Sequence, residues 1–166
     1  MLEPDVTLTD YALALENALF AWLVFRARPA GQRASVTALF VGSALAPLLG
    51  GTVHGFFPDA SSVGYAALWR GMMLAIGIVA ASSWVLAGQL IGKWRPALVA
   101  FGLLAFAGFL AWIFLVSDTF GIAIAYYLPA ILALGVGAGL RYRRTHSRRW
   151  VHGLVGIALT LVAALV

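Results

Sequence analysis

Long apolar runs alternate with short polar stretches along the whole chain. The runs are continuous and lack the in-and-out alternation of barrel strands, so the spanning element they predict is the helix. A helix needs roughly 20 apolar residues to cross a hydrocarbon core about 30 Å thick. Six segments fit, over about 8–25, 35–56, 63–91, 96–116, 120–140 and 150–166. The third is long enough to tilt or to extend past a bilayer. Short connections make sequence neighbours antiparallel. The pattern therefore predicts an all-α, polytopic transmembrane helix bundle, a single domain over residues 1–166. The last run closes on Leu161-Val-Ala-Ala-Leu-Val166 without a polar flank. That ending leads us to expect a longer protein with a seventh helix.

Charge sharpens the picture. Ten of the eleven Lys and Arg residues fall in three stretches: Arg26, Arg28 and Arg33; Lys93 and Arg95; Arg141, Arg143, Arg144, Arg148 and Arg149. All six acids lie elsewhere. Under the positive-inside rule the basic stretches face the cytoplasm and the N-terminus lies outside, as in a protein integral to a bacterial inner membrane. Composition agrees: 63% hydrophobic and 10% charged residues exclude an ordinary soluble domain. The net charge of +5 sits in these connections and forms no continuous groove-lining stripe. Anionic membrane lipids, and not nucleic acid, are the partners it predicts. The absence of cysteine excludes disulfides and thiolate metal sites. The acidic start has no basic region of a signal peptide, so the first helix stays in the mature chain. No internal repeat points to a transporter built from inverted halves. Oligomeric state is not encoded in any of these features.

Ionisable groups inside spans are expensive and mark structure or function. The predicted topology places Asp10, Glu16, Asn17, Arg70, Trp112, Tyr126 and Tyr127 in one outer layer, with His54 at the end of the second helix. These residues form a candidate pocket. Each also has a plain structural reading. Glu16 and Arg70 would pair and hold the first and third helices together; Asp10 would favour the first-turn dipole; the tyrosines would anchor or pack. His54 is the one metal-ligand candidate, because Gly50, Gly51 and Gly55 surround it and let a backbone or a ligand come close. His146 and His152 fall at the opposite side and cannot share its metal. No residue is assigned a catalytic role.

An outer N-terminus, a buried acid in the first helix and the glycine-flanked His54 in the second resemble the alkaline ceramidase and adiponectin-progestin receptor superfamily. More narrowly, the chain resembles a bacterial branch of similar small seven-helix proteins. The start, Glu3-Pro-Asp5-Val-Thr-Leu-Thr-Asp10-Tyr11, is loosely similar to the acidic calcium-holding segment of ceramidases. The resemblance implies that His54 is a zinc ligand, completed by a His-x-x-x-His pair in a seventh helix. Zinc is thus expected only with that helix. Two departures stand out: Gly50 occupies the position of the superfamily's serine, and its catalytic aspartate has no clear counterpart. The leading expectation is a metal-dependent hydrolase of a lipid or small amphiphile, with a pocket in the outer half of the bundle. The alternative is a non-enzymatic lipid- or ligand-binding sensor, or a subunit of a membrane complex.

Overall fold

The computed structural model describes residues 3–27 and 30–163, with no side-chain description over 30–32 or at 163. Arg28 and the last three residues of the sixth predicted span lie outside the described residues. The described residues form six α-helices and no strand: α1 (Pro4–Ala27), α2 (Ala30–Phe56), α3 (Val63–Ile91), α4 (Arg95–Leu115), α5 (Phe120–Thr145) and α6 (Arg148–Ala163). Helices α1 to α5 are each long and apolar enough to cross a membrane. The 16 described residues of α6 reach about 24 Å.

The ends of the helices follow from local chemistry. Pro4 opens α1, where its missing N–H costs nothing, and Asp5 faces the positive end of the helix dipole. The helix therefore starts a turn earlier than residue 8. Asp59 builds the turn before α3: its Oδ1 accepts from the backbone N–H of Ser61 at 2.8 Å and from the Ser61 hydroxyl at 2.6 Å. These bonds hold the Asp59 carboxyl below its ordinary pKa. Ser62 then caps α3 by accepting from the N–H of Tyr65. Gly92 ends α3 at φ 77°, a conformation that suits glycine. One expected loop is corrected. Arg141, Arg143 and Arg144 lie on the last turns of α5, not in a connection, and His146 closes that helix in the left-handed region at φ 49°. Basic groups are favourable at a helix C-terminus, and their long stems let the helix continue past an apolar core.

Helix α3 is the hub. It packs against α2, α4 and α5, whereas α1 packs only on α2 and α6 only on α5. Lipid offers no hydrophobic drive between helices, so close packing relies on small residues. Helix α3 supplies them on several sides, with Ala75, Gly77, Ala80, Ser83, Ala87 and Gly88 all buried. Gly42 of α2 meets Val79, and Gly102 of α4 meets Trp84. The core around Met73, Phe109, Ile113 and Ala123 fills the space between α3, α4 and α5.

Alternating helix directions put the basic stretches at one end of the bundle. Glu3, Asp5, Asp59 and Asp118 lie toward the other, hereafter the acid end.

Candidate functional site

From the acid end inward, Thr7, Asp10, Ala14 and Ala21 lie one or two turns apart on α1 and face α2. Helix α2 answers with glycine. A β-carbon at position 51 would stand 2.7 Å from Asp10 Cβ, and one at position 55 would stand 2.8 Å from Thr7 Oγ1. Gly51 and Gly55 therefore serve the close approach of α1. Polar contacts lock the same seam. The Tyr11 and Thr52 hydroxyls are 3.1 Å apart. His54 Nδ1 lies 3.2 Å from a carboxylate oxygen of Glu3.

Because the backbones of α1 and α3 do not approach each other among the described residues, α2 is open on two sides. One side forms a cleft of about 470 Å³ at the acid end. Its floor is Ala46, Pro47, Gly50 and His54, successive turns of one face of α2. Asp10 stands on the α1 side, Trp69, Met72 and Ile76 on the α3 side, and Phe120 comes from the start of α5. Asp10 and His54 are the ionisable groups of an otherwise largely apolar lining. Trp69 is held in place by a 2.7 Å bond from Nε1 to the backbone carbonyl of Asp118 and by stacking on Tyr65.

The expected pocket residues divide. The cleft brings together Asp10 and His54 alone among them. Glu16 is exposed on α1, 12 residues beyond Pro4 and so about 18 Å along the helix. Arg70 is on α3, whose backbone α1 does not approach among the described residues. The expected Glu16–Arg70 pair is therefore corrected: Arg70 Nε bonds Asp118 Oδ2 at 3.1 Å, across to the loop between α4 and α5. Asn17 donates to the carbonyl of Leu13 in its own helix. Trp112 is exposed near the end of α4, its carbonyl accepting from Val116 and Ser117. Tyr126 stacks on Phe109 with ring centroids 4.9 Å apart, and its hydroxyl donates to the Gly102 carbonyl at 3.3 Å. Tyr127 packs against the Ala80, Trp84 and Ala130 cluster. Sequence reasoning missed Trp69 and Phe120 as cleft walls. The spacing of Trp69, Met72 and Ile76 on one face of α3 was a signal for the first of them.

Among the described residues no group of three His, Asp or Glu side chains is placed to hold a metal. His54 has Glu3 on Nδ1 and no second imidazole beside it, so the donor set present does not fit a tetrahedral zinc site.

A family model for DUF6962, described as a family of unknown function, matches residues 6–166, and the chain belongs to that family. No curated protein and no solved structure matches the chain. Nothing in these findings links it to the ceramidase-receptor superfamily, a resemblance that rests on His54, its glycines and the acidic start.

Proposed function

We propose that this is a multipass protein of a bacterial inner membrane that binds a small amphiphile in the acid-end cleft. The basic end faces the cytoplasm and the cleft opens to the outside, as the segregation of charge favours. The observation that carries the reading is the cleft itself. It has an apolar wall of Trp69, Met72, Ile76 and Phe120, with the Asp10 carboxylate and the His54 imidazole on the remaining sides. Small-molecule sites have this character: a mostly apolar concavity with few polar groups that fix orientation. Glu3 adds a second carboxylate beside His54, while Arg70, the strong base of this end, is neutralised by Asp118. The balance favours a ligand whose head is cationic or donates hydrogen bonds.

A hydrolase remains the second reading because of one contact. A carboxylate on Nδ1 of an imidazole orients the ring so that Nε2 accepts a proton, the arrangement of a general base. It lacks a partner of its own, since Thr52, the nearest hydroxyl on that stretch of α2, is engaged with Tyr11 and with the carbonyl of Leu48.

Thermal unfolding of the purified protein in detergent tests the binding reading, with octylamine, octanol and octanoate as probes. Octylamine raises the midpoint most, and Asp10→Asn removes that increment. A larger shift with octanoate would reverse the assigned head-group charge. No shift with any probe would overturn the reading.

A further inference from the structure

The second open side of α2 carries another furrow, at the basic end. Its floor is Ala34, Thr37, Ala38 and Val41, which stand at i, i+3, i+4 and i+7 on one face. Phe25 of α1 and Ile78 of α3 wall it, Arg33 lies at its mouth, and its volume is about 520 Å³. At about 100° per residue this floor points roughly opposite to the floor of the acid-end cleft. The two sites are therefore separate, one on each side of the row formed by α1, α2 and α3.

Depth and charge decide what fits. From Arg33 to Val41 the furrow descends about 12 Å along α2, from the basic end into the apolar body. Two alanines keep its floor low, and Phe25 and Val41 are 57% and 40% exposed, so it opens sideways. The Arg33 guanidinium carbon sits 5.6 Å from the Phe25 ring centroid, which keeps the cation at the mouth. Arg26, next to Phe25 in the last turn of α1, lies over Trp22 at 5.0 Å. A positive mouth above a long apolar trough complements an anionic head joined to a hydrocarbon chain.

We infer that this furrow binds one anionic phospholipid, its phosphate at Arg33 and an acyl chain along Ala34, Ala38 and Val41. An inorganic phosphate would satisfy the mouth but has nothing to place in the trough. A zwitterionic lipid would fill the trough without matching the net charge of the mouth.

Native mass spectrometry of the full chain in detergent tests this, titrating dioleoyl phosphatidylglycerol, dioleoyl phosphatidylcholine or inorganic phosphate. The wild type retains one phosphatidylglycerol in preference to phosphatidylcholine. Arg33→Gln weakens that binding about fivefold, as loss of one interfacial base should. Ala38→Phe, which fills the trough, weakens it as well. Arg144→Gln, a basic change on α5 away from the furrow, leaves it unchanged. If Ala38→Phe is not helical by circular dichroism, Val41→Trp at the exposed edge of the same floor replaces it. Equal retention of the two lipids would overturn the inference. So would a loss with Arg144→Gln matching that of Arg33→Gln, or phosphate binding as tight as the lipid.

Discussion

Helices α1 and α2 meet differently at the two ends of the bundle. At the acid end they meet through Gly51 and Gly55, and the space saved by glycine lets Thr7 and Asp10 lie directly on α2. At the basic end they meet through bulk, with Phe20 against Phe40 at a centroid distance of 5.6 Å and Arg33 over Phe25. Charges follow the same division. Glu3 holds His54, Asp118 holds Arg70, and Asp59 holds Ser61. Three bases of the opposite end instead lie over aromatic rings: Arg26 on Trp22, Arg33 on Phe25, Lys93 on Trp94. One end thus sets polar and charged side chains against one another, at partly exposed contacts. The ligand site proposed for the acid end and the lipid site proposed for the basic end follow this division, on opposite sides of one helix.

The comparison breaks most completely if the two ends share a side of the membrane. The chain has no natural cysteine, so Asp59→Cys and Arg144→Cys give clean labels. In sealed vesicles an impermeant maleimide reaches one and not the other. Labelling of both from the same side would remove the premise of two differently solvated ends. The next largest effect is on packing. Gly51→Leu forces α1 away from α2 at Asp10 and costs about 1–3 kcal/mol, as overpacking does. Ala38→Phe projects into an open furrow and stays within about 0.5 kcal/mol of the wild type. Thermal unfolding in detergent reads both, and equal losses would erase the contrast between a tight seam and an open trough. The smallest effect sharpens the charge pairing. Asp118→Asn lowers stability by about 1 kcal/mol or less, because both partners are partly exposed. Glu16→Gln leaves it unchanged. In a double-mutant cycle Arg70→Gln should couple to Asp118→Asn, and coupling to Glu16→Gln instead would restore the pair that sequence position suggested.

The sequence by itself determined the helices, their order and their alternating directions. Spanning length, continuous apolar runs and the separation of Arg26, Lys93, Arg141 and their neighbours from the acids are one-dimensional properties, and α3 begins and ends at the residues its pattern predicts. It also marked His54 and Asp10, since a titratable group in an apolar run is visible without a fold. Which helices touch is a different matter. Depth along a helix axis says that Arg70 lies toward the end that holds Asp118, but not that α1 is confined to α2, so Glu16 was an equally acceptable partner until the neighbours were known. The glycines around His54 likewise admitted either a ligand or a helix, and only the position of α1 shows Thr7 and Asp10 against Gly55 and Gly51. Both clefts belong to this second category. They exist because α1 and α3 are kept apart by the width of α2, a lateral arrangement set by where small residues allow backbones to approach, and no periodicity along a single helix records it.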